Sequence, residues 1–268
     1  MIHMLAITEL TLRKMKEPAF FLMLLIVLLL SCMVSDLDPV SAQVSSDSIL
    51  AQLVSDQGGY GILTGSCFAF AISVILASFS GAAEIPRDIS SGLIFLLLSK
   101  PLQRWRYLLG KYFGVIIMCV IFFTLSEIVI YLAHYFGTGQ WYSPGLMFRQ
   151  FQLLLAFFPF VAVIITFSCF MGDLAALIFA VIYLVFSLFF ACYPIVVAML
   201  PANFAAEAES AVGFFYYFFP NYLFYFTNFN GIGLVAFALT VYSLSIAAIF
   251  LSIAALRLEH MDFMPSRR

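Results

Sequence analysis

An apolar run at residues 112–135 decides the fold class, and it reads YFGVIIMCVIFFTLSEIVIYLAHY. It has a single acidic residue, Glu127, near its middle. A helix needs about 20 apolar residues to cross the hydrocarbon core of a bilayer, where no backbone polar group can stay unpaired. The run therefore predicts a membrane-spanning α-helix.

Other apolar stretches of the chain come near the same length. Together with the first they make six predicted spans, at residues 19–34, 60–83, 112–135, 151–171, 174–200 and 231–256. The first span is the shortest of the six. We therefore predict an all-α integral membrane protein, in which residues 1–268 form a single transmembrane domain.

The composition supports a membrane environment. Hydrophobic residues make up 64% of the chain and charged residues only 10%, whereas a soluble domain usually carries about 25% charge. A soluble globule of this size could not cover so much apolar side chain with so few polar groups. The formal net charge of −2 gives no reason to expect a nucleic-acid partner.

The positions of Lys and Arg predict the orientation of the six spans. Three clusters precede span one, separate spans two and three, and follow span six. They are Arg13, Lys14 and Lys16, then Arg87, Lys100, Arg104, Arg106 and Lys111, then Arg257, Arg267 and Arg268. These clusters hold 11 of the 12 basic residues, with Arg149 as the exception. The positive-inside rule makes this side cytoplasmic, so we expect both termini in the cytoplasm and a multi-pass protein of the bacterial inner or plasma membrane.

The segments outside the predicted spans also have a predicted structure or location. Residues 1–17 are predicted to form an interfacial segment, although a plain juxtamembrane anchor explains their basic end as well. Residues 36–58 are polar and rich in Ser and Asp. Residues 201–230 are strongly aromatic, which predicts short helices at the outer interface or packing against a neighbouring helix.

The loop at residues 84–111, between spans two and three, contains an apolar run at residues 93–98. That run is too short to cross a membrane, and Pro86, Gly92 and Pro101 punctuate the loop. A short apolar helix with charged ends would lie at the membrane interface, against its own bundle, or against another protein. The pattern alone leaves these three choices open.

This loop resembles the cytoplasmic loop of ABC-2-type transporter permeases, in the branch that includes the permease of the nitrous-oxide-reductase maturation system. That branch has acidic residues, a Gly-Thr pair, a leucine-rich run, a Pro-Val-Ser-Arg-like turn and a Gly-Lys pair at the third span. The matching positions are Glu84 and Asp88, Gly92, residues 93–98, Pro101 with Arg104, and Gly110 with Lys111. Two features depart from the pattern, Leu93 in place of Thr and Leu102-Gln103 inside the turn.

The resemblance implies a permease that works with a separate nucleotide-binding subunit. Because members of the family are commonly exporters, it also implies export. The loop would form a coupling helix seated in a groove of that ATPase, and a second permease copy or a paralogue would complete the complex. The implied contact residues are Glu84, Arg87, Asp88, Gly92, Pro101 and Arg104. Lipid headgroups would anchor Arg13, Lys14, Lys16 and Lys111.

Any ATP and magnesium would bind to the partner subunit. Gly110 and Lys111 are followed by Tyr112, and Trp105 stands where a P-loop needs its first glycine. We also expect no catalytic or metal site, because no Ser/His/Asp, Cys/His or CxxC spacing is present.

Glu127 is the one candidate for chemistry inside the membrane, since intramembrane carboxylates are often functional. Tyr131 and His134 follow it on the same helical face. Such a set would suit a proton relay in a secondary transporter or channel. A protonated or hydrogen-bonded acid inside the bundle explains Glu127 as well, and a membrane assembly factor without transport is a further alternative.

Overall fold

The structure is a computed structural model that describes residues 7–9, 22, 25–26, 60–92, 94, 104–139, 141, 152–191, 225 and 234–260. Five helices are defined along their length within these residues. They are α1 (Tyr60–Ser90), α2 (Arg104–Thr138), α3 (Leu154–Phe170), α4 (Asp173–Ala191) and α5 (Leu234–Glu259). The described residues contain no β-strand, so the all-helical prediction is confirmed for this part of the chain.

Three of these helices are long and apolar enough to cross a membrane, over Gly65–Ser90 in α1, Arg104–Phe136 in α2 and Ala236–Glu259 in α5. Two shorter apolar segments lie at Leu154–Phe170 and Asp173–Phe189. The five helices overlap the second to sixth predicted spans. The first span lies outside the described residues except for Leu22, Leu25 and Ile26, which are helical, so the count of six stays a prediction.

Helix α1 is longer than its predicted span, because it continues through Glu84 and Pro86 to Ser90. Proline inside a helix removes one backbone hydrogen bond and usually ends or kinks the helix, and the sequence analysis placed Pro86 in the loop after the second span. Tertiary contacts outweigh that cost here, since Ile85 and Asp88 on either side are buried.

Gly92 ends the helical turn that follows α1. Its φ of 73° lies in the left-handed region that glycine adopts at low cost. The Gly92 amide donates to the Ile89 carbonyl at 3.2 Å, and the Ser91 amide donates to the Arg87 carbonyl at 2.9 Å. Gly92 therefore stops the helix, as glycine often does at helix C-termini.

Helix α2 begins at Arg104, eight residues before the predicted third span. Residues 84–90 and 104–111 of the predicted loop are therefore helical, and the connection between α1 and α2 is correspondingly shorter. Within that connection, Ile94 is fully buried and belongs to the hydrophobic core. The apolar run at residues 93–98 thus contacts its own bundle at this position, which was one of the three choices that the sequence left open.

Helix α3 is the centre of the bundle and packs against the other four described helices. Twelve of its 17 residues are buried, and they lie on all its faces, which is the pattern of a core helix. Helix α1 approaches it closely, because a Cβ added at Gly81 would lie 2.8 Å from Ile164 Cγ2. Glycine at position 81 therefore sets the distance between α1 and α3.

One end of the bundle collects the charged helix termini. Helices α1, α3 and α5 finish there, and α2 and α4 start there, as the contacts Lys111–Glu84, Arg104–Leu258 and Arg257–Phe170 require. Thr8 also reaches this end, where its hydroxyl donates to the Gly110 carbonyl at 3.2 Å. All five Lys and Arg of the described residues lie here, namely Arg87, Arg104, Arg106, Lys111 and Arg257. We call it the basic end.

Candidate coupling site at the basic end

A buried ion cluster joins α1 to α2 at the basic end. The Lys111 ammonium lies 2.7 Å from Glu84 Oε2 and 2.9 Å from Asp88 Oδ2. The Tyr107 hydroxyl donates to the same Asp88 oxygen at 2.6 Å. On each helix the two members are four residues apart, so they lie one above the other on one face. We call these four residues the Lys111 cluster.

Burial makes the members of the Lys111 cluster depend on one another. Glu84 and Lys111 are each 1% exposed, and Tyr107 is equally buried. A charge removed from water is stable only when it is paired and hydrogen-bonded. The cluster holds one ammonium against two carboxylates, and the phenol hydroxyl adds a donor to Asp88. The Lys111 ammonium also lies 5.9 Å from the centre of the Tyr107 ring, within reach of a cation–π contact.

The Lys111 cluster includes two residues that were predicted to contact the ATPase. Glu84 and Asp88 face the interior of the bundle, where Lys111 binds both carboxylates. Arg87 and Ser90, on the other side of the same turns, are exposed. Direct contact between the two carboxylates and a partner stays a prediction, but in this structure both carboxylates bind Lys111 within the chain.

Lys111 was predicted to anchor at lipid headgroups, and the structure places its ammonium in the buried cluster instead. An amine that is 1% exposed and bonded to two carboxylates reaches no headgroup in this conformation. The other predicted anchors, Arg13, Lys14 and Lys16, lie outside the described residues, as does Pro101 of the predicted coupling set.

Arg104, another predicted coupling residue, binds the C-terminus of α5. Its Nη1 atom donates to the carbonyl of Leu258 at 2.6 Å and to the carbonyl of Glu259 at 2.9 Å. The last carbonyls of a helix lack partners within the helix and carry partial negative charge, so a guanidinium is stabilising there. Arg104 therefore ties the start of α2 to the end of α5.

Exposed residues lie next to the buried carboxylates of the Lys111 cluster along the end of α1. Arg87, Ser90 and Ser91 follow one another at the end of α1, and each is exposed. We call these three residues the outer face of the basic end. Trp105 is also 45% exposed nearby on α2, and the Arg106 guanidinium lies 5.6 Å from its ring centre. A partner at this end would meet these side chains before it met the buried carboxylates.

Glu127 occupies a buried position between α1 and α2, nearer the other end of α2. The Ser66 hydroxyl donates to Glu127 Oε2 at 3.2 Å, whereas Oε1 accepts no hydrogen bond from any described residue. Tyr131 is buried and His134 is partly exposed. The structure therefore gives Glu127 one defined partner, Ser66, which the sequence analysis did not single out.

The sequence analysis did not identify Tyr107 and Ser66, although each has a feature that is visible in the sequence. Tyr107 stands four residues before Lys111, and that spacing puts both on one face of a helix that begins at Arg104. Ser66 is a polar residue inside an apolar run. The described residues also contain no group of His, Cys, Asp and Glu able to hold a metal ion.

Comparison with known proteins agrees with the helical membrane architecture. A comparison with curated proteins gives no significant match. The family model for the ABC-2 family transporter protein matches residues 13–263. This match covers nearly all of the chain, including both α1 and α2 and the connection between them. The chain therefore belongs to the ABC-2 transporter family.

Proposed function

We propose that the chain is the membrane-spanning permease subunit of an ATP-binding cassette transporter. In this role it couples ATP hydrolysis by a separate nucleotide-binding subunit to the movement of a substrate across the membrane. Membership of the ABC-2 family supports the proposal, and so do apolar helices long enough to cross a membrane. ATP and magnesium are then bound by the partner.

The Lys111 cluster is the observation that carries the proposal. A permease driven from outside must convey movement at a surface to its membrane helices, and rigid contacts between helix ends can do this. The cluster joins the end of α1 to the start of α2 through Lys111 and Glu84. Arg104 extends the connection to the end of α5. A push on the outer face would therefore move the ends of three helices together.

The positions of the basic residues support an orientation of the chain in the membrane. The five described basic residues lie at the basic end, and positive charge next to spans favours the cytoplasmic side. The proposed complex therefore has the basic end and both termini in the cytoplasm, where ATP is available. It contains two ATPase subunits and two permeases, the second being a copy or a paralogue. Export and the nitrous-oxide-reductase maturation branch belong to this proposal through the resemblance of the loop.

A tryptophan placed on the outer face tests the proposed contact. Ser90 is exposed and lies at the last residue of α1. We expect Ser90→Trp to lower the yield of co-purified ATPase subunit, or its stimulated ATP hydrolysis, by about tenfold or more, as a clash at an interface centre does. Thermal unfolding of the isolated chain should not change.

Ser245→Trp is the matched control, because Ser245 is exposed in the middle of α5 and away from the basic end. It should leave the association with the ATPase intact. If the wild-type chain and Ser90→Trp associate equally with the ATPase subunit, the outer face is not part of the contact. Equal loss in both variants would show that tryptophan on any exposed surface disturbs the chain.

One observation favours a second candidate function, a secondary transporter or channel that uses Glu127. The carboxyl is 4% exposed, and its Oε1 atom has no hydrogen-bond partner among the described residues. A proton-carrying group could occupy such a position. The single defined partner, Ser66, offers no second titratable group for a relay, which is why we place this function second.

A further inference from the structure

A cleft opens between the end of α1 and the start of α4 at the basic end. Its cavity volume is about 170 Å³. Phe79, Leu174 and Leu177 line it with apolar side chains, and Ala82, which is 1% exposed, also lines it. Alanine leaves room where a longer side chain would fill the space. A cavity of about 10–15 Å³ in this measure holds one water molecule, so the cleft has room for a group of several non-hydrogen atoms.

The walls of the cleft open toward the surroundings of the bundle. Phe79 is 58% exposed and Leu174 is 69% exposed. Phe79 and Arg87 are eight residues apart on α1, which is about 12 Å along a helix axis at ~1.5 Å per residue. The cleft thus runs from an apolar stretch of α1 to its charged last turn. An occupant with an apolar part and a polar part fits that gradient.

Two opposite charges line the polar end of the cleft. Arg87 lies in the last turn of α1 and Asp173 in the first turn of α4. Both are exposed, and the ion pairs found among the described residues are those of Lys111. Asp173 Oδ1 accepts the Leu174 amide at 2.9 Å, which leaves its second oxygen available. The cleft therefore offers a cation and an anion that do not pair with each other.

We propose that this cleft binds a zwitterionic aminophospholipid of the bilayer. The Arg87 guanidinium binds the phosphate, because its planar donors match phosphate oxygens. The Asp173 carboxylate accepts hydrogen bonds from the primary ammonium. The first methylenes of an acyl chain lie against Phe79 and Leu177, and the rest of the chain extends into the bilayer. This inference goes beyond the proposed function and does not depend on it; it assigns the Arg87 guanidinium of the outer face to the phosphate, and Ser90 and Ser91 do not line the cleft.

The paired charges make the cleft selective among phospholipids. An anionic phosphatidylglycerol can use Arg87, and its glycerol hydroxyls can donate to Asp173, but it carries no cation to compensate that carboxylate. Phosphatidylcholine carries a quaternary ammonium with no N–H donor, so it cannot hydrogen-bond to Asp173. Phosphatidylethanolamine supplies both a phosphate and three N–H donors. The cleft should therefore prefer phosphatidylethanolamine over both of the others.

Native mass spectrometry of the full chain tests the preference, with each of the three phospholipids added to the detergent-solubilised protein. We expect phosphatidylethanolamine to bind about tenfold more tightly than phosphatidylcholine, as one charge-assisted hydrogen bond implies. Asp173→Asn should reduce that preference to about twofold or less. Arg87→Gln should weaken both phosphatidylethanolamine and phosphatidylglycerol by about tenfold.

Matched controls remove a like charge elsewhere at the same end. Arg106 and Glu259 are exposed and do not line the cleft, so Arg106→Gln and Glu259→Gln should leave the lipid preference unchanged. Leu177→Trp keeps both charges but fills the cleft, and it should abolish the preference. This third variant gives a result even if the charge variants fail to fold.

The proposal is overturned if the wild-type chain binds the three phospholipids equally or prefers phosphatidylglycerol. It is also overturned if Asp173→Asn or Leu177→Trp keeps the full preference for phosphatidylethanolamine. Control variants that lose the preference as strongly as the cleft variants would assign it to the overall charge of the basic end, which likewise contradicts a site in the cleft.

Discussion

The Nζ atom of Lys111 on α2 lies 2.7 Å from Oε2 of Glu84 on α1, and each side chain is 1% exposed. The two residues are 27 positions apart in the chain. Their contact fixes the end of one predicted span to the start of the next. Since both charges are buried, loss of the Lys111 ammonium removes the cation that lies against Glu84, whereas Lys111 without Glu84 still has Asp88 at 2.9 Å.

Lys111→Met tests how much this contact contributes to the free energy of unfolding. Removal of the ammonium takes away the cation that lies 2.7 Å from Glu84 and 2.9 Å from Asp88, while both carboxylates stay buried. We expect a loss of about 3–5 kcal/mol in the free energy of unfolding, the usual cost of breaking a buried ion pair on one side. Thermal or denaturant unfolding of the purified chain in detergent measures it.

Two further variants serve as controls for the result with Lys111→Met. Arg106→Met removes an exposed cation from the same end of α2 and should change stability by less than about 0.5 kcal/mol. Neutralisation of all three charges, with Glu84→Gln, Asp88→Asn and Lys111→Met together, should recover at least half of the loss. A stable Lys111→Met variant would show that the cluster is not buried as described.

Tyr107→Phe removes the hydroxyl that donates to Asp88 at 2.6 Å. The acceptor is a buried carboxylate, so we expect a loss of about 1.5–3 kcal/mol in unfolding free energy. A double-mutant cycle with Asp88→Asn isolates the contact, because the effect of Tyr107→Phe should shrink when the acceptor is neutral. Additive losses in the double variant would contradict a direct bond between the two groups.

The sequence predicted the membrane helices well because their signal is the length of apolar runs. The runs at 60–83 and 112–135 fall within α1 and α2, and the helical class is confirmed in the described residues. Helix α1 extends seven residues beyond the second predicted span, and α2 begins eight residues before the third. Glu84, Asp88 and Lys111 looked like loop residues because each is charged, and their pairing in the interior depends on tertiary contacts.

The candidate site was predictable in its location but not in its geometry. The resemblance selected Glu84, Asp88 and Lys111, and the structure brings these three together. It did not indicate that they contact one another, nor that Arg104 binds the end of α5. Contacts between residues about 150 positions apart leave no local periodicity, so a single sequence cannot show them.

Gly81→Val tests the close approach of α1 and α3. A Cβ at this position lies 2.8 Å from Ile164 Cγ2, and the branched Ile164 has little rotamer freedom in a helix. We expect a loss of about 1–3 kcal/mol, the usual cost of overpacking a core. Unfolding of the detergent-solubilised chain provides the measurement.

Gly172→Val is the matched control for Gly81→Val. Gly172 lies in the turn before α4, and a Cβ there meets nothing within 4 Å. The same substitution should therefore leave packing unchanged at this position. If valine at 81 costs no more than valine at 172, helices α1 and α3 do not approach as closely as the structure indicates.

Glu127→Gln separates the permease from the secondary transporter. Glutamine keeps the size of the side chain and can still accept from Ser66, but it cannot release a proton. We expect transport and ATP hydrolysis of the complex to keep at least half of the wild-type rate, with the same pH profile. Loss of transport together with an altered pH profile would favour the proton relay instead.

Co-purification tests the central claim most directly. The chain is tagged, expressed in its native membrane, extracted in mild detergent after chemical cross-linking, and its partners are identified by mass spectrometry. The proposed function predicts a subunit with a P-loop that co-purifies and hydrolyses ATP. Recovery of the intact, folded chain without any P-loop ATPase would contradict the proposal that it is the permease of an ATP-driven transporter.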